Sequence, residues 1–600
     1  MTVFIYDVES FKHDWIVVMK ELNKDVWYTF HNKYGYLNDL LENEDNIYIG
    51  FNSKHYDRYI IQAIYTHNTP SEIKSLSDFI INNDIGIPVW EHPLIQGTYF
   101  KFNNVDIRDD MQQGLSLKSI EAHLGEPIVE STIDFNIDRK LTDDEVEETI
   151  KYCMNDVLMT EKIVNLRENY LSTKETLGEM QGSTKEQSLR LTNAKITSKY
   201  LNAQAISTDD ERQYVYPKTL NMKYIPKDVT DFFGKLEDLS IPDYEIFSSS
   251  LDIQVKNTPV KIAYGGIHGA IKKYKETATD NRVIINLDVA SYYPNIMVKL
   301  GYISRALSDP KLYEKILNER LQAKKQGDTL TAGTLKLVLN TKYGAMLNKY
   351  NDLYDPLMAR SVCISGQLYL LWLANELIEK IESIELIQIN TDGLMVSLDV
   401  KDILDLYIIS GTWEKITGFE LEEDRIQKVI QKDVNNYLII MENGKIKTKG
   451  GYLVRGIQPF GAFNINNNYP IVSKALIDKF TKNIPLEETI DNSDNILDFQ
   501  IIAKAGSTYK DVFHEVYGEM QKLTQRVNRV YATKDINLGK LYKLKGESMQ
   551  KIANLPEHCI IDNFNELDIK MVDRDYYLEL AKKRYKEFLG ENYDGNKNKN

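Results

Sequence analysis

Two short apolar runs in this chain end on acid. Val3–Tyr6 leads into Asp7-Val8-Glu9, and Arg282–Leu287 leads into Asp288. Each reads as a strand whose end presents a carboxylate, and the two lie too far apart to belong to one small core. At 600 residues the chain exceeds what a single core serves, so three or more domains of mixed α/β (α+β multidomain) type are predicted.

Charge is distributed unevenly. The net charge is -15. Residues 1–165 hold 14 Lys+Arg against 29 Asp+Glu, and the rest of the chain carries 59 of each. The acidity therefore sits in the N-terminal quarter, and the remainder is free to form basic grooves. Residues 501–555, with Arg526 and Arg529 among ten basic side chains, form one candidate. The three cysteines, Cys153, Cys363 and Cys559, form no CxxC pair, which argues against a disulfide framework or a cysteine zinc module. No signal peptide or membrane span is expected, and a reducing cytoplasm fits.

On a strand, residues two apart share a face, so Asp7 and Glu9 present their carboxylates together. Paired acids repel and make sense chiefly around metal ions. A second strand, Ile47–Phe51, runs into Asn52 and on to Tyr56-Asp57. Thr142-Asp143-Asp144-Glu145 is a capping box that opens a helix with Val146, Ile150, Cys153 and Val157 as its buried stripe. Tyr152 and Asp156 lie four apart on a neighbouring stripe and face one site.

The second acid cluster repeats this logic with different parts. Leu386–Asn390 and Leu394–Leu398 are strand-like, and Thr391-Asp392-Gly393 between them is a hairpin signal. That hairpin would carry Asp392 to the end of the Asp288 strand. Between the two acids, Asp309-Pro310 starts a helix and Gly327 stops it. A second helix runs from about Thr329 to Tyr343. Arg320 and Lys324 face one way on the first; Lys336, Asn340 and Tyr343 form one stripe on the second. Cations converging from such a helical hairpin suit a triphosphate.

Taken together, these motifs resemble family B DNA polymerases with an N-terminal DEDD 3′→5′ exonuclease, of the bacteriophage or mobile-element kind. Asp7-x-Glu9, Asn52-x-x-x-Tyr56-Asp57 and Tyr152-x-x-x-Asp156 are similar to the three exonuclease motifs. Asp288–Pro294, Lys336–Gly344 and Asn390–Gly393 are similar to polymerase motifs A, B and C, and Tyr264-Gly265-Gly266 to the YxGG element. The resemblance implies an RNase H-like exonuclease domain followed by a right-hand palm, fingers and thumb. It implies two Mg²⁺ (or Mn²⁺) ions per site, held by Asp7, Glu9, Asp57 and Asp156 in one and by Asp288, Asp392 and the Val289 carbonyl in the other. Tyr152 would position the attacking water. Arg320, Lys324 and Lys336, with backbone N–H groups near Ser291 and Tyr292, would hold the incoming dNTP. Tyr293 would exclude a 2′-OH, while Asn340 and Tyr343 would line the nascent base pair. Primer-template contacts are expected from Asn52, Ser116, Leu117, Tyr264, Gly265, Gly266, Gly344, Arg526 and Arg529.

The chain departs from the family pattern at three places. Asn390 stands where motif C usually has its first acid. Asn435-Asn436-Tyr437 replaces the usual Lys-Lys-x-Tyr, leaving Lys447 and Lys449 as the expected substitutes. The first exonuclease motif comes at the very start, so the extra N-terminal domain of larger family members is expected to be missing.

The resulting plan is exonuclease 1–165, connecting region 166–260, palm 261–308, fingers 309–344, palm 345–450, thumb and C-terminal region 451–590, and a disordered tail 591–600. The implied partners are primer-template DNA and replication accessory proteins, with the chain a monomer away from membranes, in the cytoplasm of an infected bacterium. Two rival readings are a protein-primed polymerase of a linear mobile element and a catalytically inactive, polymerase-like DNA-binding subunit. Intact acids at all six motif positions argue against the second.

Overall fold

The computed structural model describes residues 2–82, 86–454, 456–458, 463–506 and 508–594. Of the tail expected to be disordered, residues 595–600 lie outside the described residues. The architecture is mixed α/β, and the chain divides into two compact units. The first gathers Met1–Thr192, Arg455–Pro470 and Asp494–Tyr576; the second gathers Asn193–Val454, Ile471–Ser493 and Tyr577–Asn600. This division cuts across two expected segments. The connecting region splits after Thr192, and the stretch expected as one thumb and C-terminal region is shared between the units.

The core of the first unit is a five-stranded sheet in the order β3-β2-β1-β4-β5. Its strands are β1 (Val3–Ser10), β2 (Trp15–Glu21), β3 (Trp27–His31), β4 (Ile47–Gly50) and β5 (Asn104–Asp106). β1 runs antiparallel to β2 and parallel to β4. Its side chains alternate between two cores: Phe4, Tyr6 and Val8 enter one, and Ile5 enters the other. The second core receives Cys153 and Val157 from a long helix, Asp143–Leu166, whose Thr142–Glu145 capping box forms as the sequence predicts. Asp7 and Glu9 share the parity of Ile5 and so point toward that helix.

The C-terminal segment of this unit adds a three-stranded sheet from Ile501–Lys504, Val527–Ala532 and Cys559–Ile561. Ile502 and Val527 pack with Ala122 and Ile128, which closes the acidic N-terminal region from a second side.

The second unit is built on a ten-stranded sheet. Its strands are β6 (Ser250–Val255), β7 (Thr258–Ala263), β8 (Gly266–Ala270), β9 (Tyr274–Thr277), β10 (Arg282–Val289), β11 (Glu385–Asn390), β12 (Gly393–Asp399), β13 (Leu421–Asp433), β14 (Asn436–Met441) and β15 (Ile446–Lys449). The order is β15-β14-β13-β10-β12-β11-β8-β7-β6, with β9 pairing β13. β10 is thus interior, with an antiparallel neighbour on each side.

The helical hairpin predicted between the two acids is present, as Pro310–Gln326 and Thr329–Met346. The Asp309 side chain accepts from the Lys311 N–H at 3.0 Å, and Gly327 ends the first helix at φ 76°, the left-handed conformation that glycine adopts without strain. A 25-residue helix, Pro356–Lys380, follows. Among the described residues it alone has the length and apolarity to cross a bilayer, but it is covered on nearly all sides within the unit, which accounts for its lack of a polar face.

Candidate active sites

In the first unit, Asp7 and Glu9 come from β1. Asp57 opens the helix α1 (Asp57–Tyr65), and Asp156 lies one turn beyond Tyr152 on α3 (Asp143–Leu166), with α2 (Leu117–Leu124) alongside. Asp57 and Asp156 are buried. Burial pushes the Asp7 carboxyl up to about 7, and the Asp156 charge adds to the shift. Glu9 and Asp57 are likewise raised, first by burial and then by Asp7. The four carboxylates therefore feel one another inside a single desolvated neighbourhood. The Cys153 thiol donates to Asp7 Oδ2 at 3.2 Å.

One cation answers this charge, and sequence reasoning missed it. The Lys118 ammonium is hydrogen-bonded to Asp156, lies 3.3 Å from Glu121, and sits 4.8 Å above the Tyr152 ring. The sequence signal available was a lysine in the first turn of a capped helix within an acid-rich stretch. Ser116 and Leu117, expected to grip DNA, are half-buried and also serve the fold. Ser116 caps α2 by accepting from the Ser119 N–H, and Leu117 packs on the core. Asn52, at φ 62°, donates its N–H to Asp106 at 2.9 Å and accepts from Arg108 at 2.5 Å, so it shapes the turn leading to Asp57.

In the second unit, Asp288 ends β10 and Asp392 occupies the two-residue turn between β11 and β12. Antiparallel pairing of β10 with β12 sets Asp288 opposite Gly393, and the Val289 N–H donates to the Asp392 carbonyl at 2.8 Å. A Cβ on residue 393 would fall 2.1 Å from Asp288 Oδ1, so the approach requires glycine. The resulting cleft, about 310 Å³, is lined by Asp288, Asn390, Asp392, Asp424, Lys447 and Lys449, among others. Burial pushes the Asp288 carboxyl up to about 6; a hydrogen bond with Asn286 opposes the rise and the Asp392 charge assists it. Asp424, which the sequence reading did not single out, takes the Lys447 ammonium at 2.8 Å. Lys449 lies 5.7 Å from the Tyr437 ring.

Beside this cleft, Ser291 adopts a left-handed conformation (φ 46°, ψ 50°) immediately before α4 (Tyr292–Leu300). Non-glycine residues enter that region at a cost, and such strain gathers at functional sites. From the first helix of the hairpin, α5 (Pro310–Gln326), Arg320 donates to Ser291 Oγ at 2.5 Å and Lys324 pairs with Glu422 at 2.9 Å. From the second, α6 (Thr329–Met346), Lys336 and Asn340 are exposed, while Tyr343 packs edge-on against Tyr293 at 4.7 Å. The Tyr293 hydroxyl is 3.6 Å from Cys363 Sγ.

Four further expected contact residues are placed as follows. Tyr292 is buried and donates to the Gly366 carbonyl at 2.8 Å from α7 (Pro356–Lys380). Tyr264 is buried and donates to the Phe232 carbonyl at 2.8 Å. Arg529 is fully buried: its guanidinium donates to Gln500, Asn565 and the carbonyls of Ala122 and Glu126, which leaves it out of reach of a phosphate. Arg526 is exposed and donates to the Lys510 carbonyl at 3.1 Å. Gly265, Gly266 and Gly344 offer only backbone; Gly266 opens β8, which pairs with β11 beside the Asp392 turn.

Both centres fit divalent cations on their own chemistry. The first is a desolvated group of four acids with one ammonium against them. The second has Asp288 and Asp392, a third carboxylate, Asp424, paired with Lys447, and an orphaned acceptor, since Asn390 Oδ1 is buried without a hydrogen-bond partner. Hard cations seek such all-oxygen sets. Among the described residues, no three acid, histidine or cysteine side chains converge as a ready-made chelate. The ligands would have to draw in around an ion.

No protein-family model matches the chain, and no curated protein matches it. Among solved structures, the family B DNA polymerase from the hyperthermophilic archaeon Pyrobaculum calidifontis aligns with 98% of this chain and 78% of its own, at 13% identity and a TM-score of 0.40. At that level of likeness the functional reading rests on the chain's own geometry.

Proposed function

We propose that this chain is a template-directed DNA polymerase carrying a separate 3′→5′ exonuclease centre. The observation that carries the reading is the β10–β12 pairing, which sets Asp288 beside the Asp392 turn while Arg320 reaches Ser291 at the same strand end. Two carboxylates facing a cationic helical hairpin suit a substrate that is a polyanion and whose leaving group is another.

In the polymerase centre, Arg320, Lys324 and Lys336 bind the triphosphate of the incoming dNTP. Tyr293 lies under the sugar and Tyr343 holds that ring in place. Asp288, Asp392 and the Val289 carbonyl would hold Mg²⁺ or Mn²⁺, which when bound neutralises developing charge and activates oxygen nucleophiles. The primer 3′-OH attacks the α-phosphate in line, and pyrophosphate leaves. In the exonuclease centre, Asp7, Glu9, Asp57 and Asp156 would hold the ions. Tyr152 orients the attacking water, and Lys118 keeps both Tyr152 and Asp156 in position.

The primer is a nucleic acid with a free 3′-OH. Protein-primed relatives carry insertions before the finger helices and between motifs B and C. Here only residues 301–309 join α4 to α5, and 347–355 join α6 to α7. Neither stretch holds a folded insertion, so poor strand displacement by the enzyme alone is part of this proposal. The test is extension of a labelled primer-template with Mg²⁺ and all four dNTPs, alongside excision when dNTPs are omitted. Absence of dNTP-dependent extension by folded protein would overturn the reading. So would transfer of a dNMP onto a protein hydroxyl.

A further inference from the structure

Three depressions in the second unit share walls. The cleft of Asp288 and Asp392 has His268 in its lining. His268 also lines a neighbouring cavity of about 910 Å³, whose far wall includes Lys272 and Asp433. Those two residues in turn line a third, of about 490 Å³. The surroundings change along this path from carboxylates to ammonium groups. The last cavity is lined by Lys272, Lys273, Lys432, Lys583 and Lys586, against the acids Asp433 and Glu587.

The two acids offset this charge only in part. Asp433 is taken by Lys432 at 2.9 Å, and Glu587 is a single carboxylate against the four remaining lysines. Lys272, Lys273, Lys583 and Lys586 are exposed, and no ion pair engages them among the described residues. Two come from the turn between β8 and β9. The other two lie three apart on one face of the C-terminal helix α8 (Arg574–Leu589). Four unpaired ammonium groups gathered from separate parts of the chain repel one another, and an anion relieves that cost.

We infer that this lysine basin is a binding site for the phosphodiester backbone of the primer-template as it leaves the Asp288–Asp392 cleft. The inference rests on the polymerase reading and deepens it. The continuous path favours an extended polyanion over a single phosphate. Lysines as mobile point charges suit contacts that hold a backbone without reading sequence. The basin also supplies cations next to the Asn435-Asn436-Tyr437 turn, which carries none, and it gives the C-terminal helix a role in polymerisation.

The test is equilibrium binding of a labelled primer-template to the full-length chain over a salt series, comparing Lys583→Glu/Lys586→Glu with Lys583→Arg/Lys586→Arg. Both positions are exposed, so neither pair threatens folding. The charge reversal is expected to weaken binding at least ~10-fold. It should also flatten the slope of log affinity against log salt by about 2, the value for two lost phosphate contacts. The arginine pair should keep both affinity and slope.

Unchanged affinity and slope in the glutamate pair, with wild type extending primers, would overturn the basin and leave the polymerase reading intact. A lysine-dependent slope in a wild type that extends no primer would support the basin and sink the polymerase reading. Equal weakening by the arginine pair would mean that the lysines act through packing, which overturns the proposal. Full competition by inorganic pyrophosphate would overturn it in favour of a small-anion site. Wild type that binds no DNA would overturn both readings.

Discussion

The two acidic centres solve one electrostatic problem in opposite ways. In the first unit, four carboxylates from the sheet and two helices share one desolvated neighbourhood, and Lys118 pairs with one of them, Asp156. In the second, Asp392 sits exposed on a hairpin turn, Lys447 and Lys449 line the cleft, and Arg320 and Lys324 of the helical hairpin bond Ser291 and Glu422 beside it. The second unit hides its imbalance elsewhere. Lys342 is fully buried, its ammonium has no hydrogen-bond partner, and it rests 3.7 Å over the Tyr313 ring. A buried acid cluster suits cations from solution, whereas a cleft whose acids stand among cations suits a cation together with a polyanion. The contrast lies in the neighbours each acid pair is given and in how far it is desolvated.

The strongest way to break this comparison is to ask whether the centres are independent. Asp392→Asn should lower primer extension by ~100-fold or more, the scale of losing a transition-state charge partner, and leave excision intact. Asp7→Ala with Glu9→Ala should do the reverse. Loss of both activities in either folded variant would dissolve the two-centre picture.

The next test sharpens the difference in burial. Mg²⁺ should raise the thermal stability of wild type, by about 2.7 kcal/mol at a concentration a hundredfold above its Kd. Most of that gain should vanish in the Asp7→Ala/Glu9→Ala protein and persist in Asp392→Asn. Equal loss in both variants, followed calorimetrically, would show that the acidic core is not the main ion site.

Lys342 gives the mirror-image prediction. Burial holds its pKa down to about 7 against an ordinary 10.5, with the Asp355 charge opposing. Between those two values the unfolded chain binds more protons than the folded one, so this residue makes stability rise with pH across that window. Below about pH 7 the folded protein carries the full cost of the buried charge. Lys342→Met should therefore stabilise the protein at pH 7, by about 1–3 kcal/mol, and flatten denaturation midpoints from pH 7 to 10. A destabilised, equally pH-dependent variant would refute the account.

Smaller effects probe the open cleft. Tyr293→Ala should raise ribonucleotide incorporation ~10-fold, since a clash of about 1.4 kcal/mol gives that factor. Unchanged sugar discrimination would remove Tyr293 from this role. Asn390→Ala should cost least, because an amide oxygen is a weaker ligand than the flanking carboxylates. A loss of turnover matching that of Asp392→Ala would mean the orphaned Asn390 oxygen is a principal ligand.

The parts legible in the sequence were those with local causes. The capping box at Thr142, the Asp309–Gly327 boundaries and the Asp-Gly turn each announce themselves within a few residues, and all three form. The Asp7–Glu9 pair followed from strand parity. Long-range causes stayed hidden. Nothing near Lys118 says that Asp156 is its partner, and nothing around Arg529 says that carbonyls from residues 122 and 126 will take up its donors. A basic residue in a basic stretch reads as surface until the fold supplies acceptors for it. The assignment of residues 494–576 to the first unit was invisible for the same reason, since it depends on packing between Ile502, Val527 and a helix hundreds of residues earlier.

That discontinuity has a consequence for biogenesis. During synthesis from the N-terminus, Met1–Thr192 leaves the ribosome long before Asp494–Tyr576 exists. Arg529 reaches its four acceptors only when translation is nearly complete. The acidic centre thus waits, its covering sheet unmade, while the second unit's strands are already pairing. Genetic excision of the N-terminal quarter as a free-standing protein would leave Ala122 and Ile128 without their cover. A premature stop anywhere before residue 576 would compromise the first unit as surely as the second, so nonsense alleles should not yield separable activities.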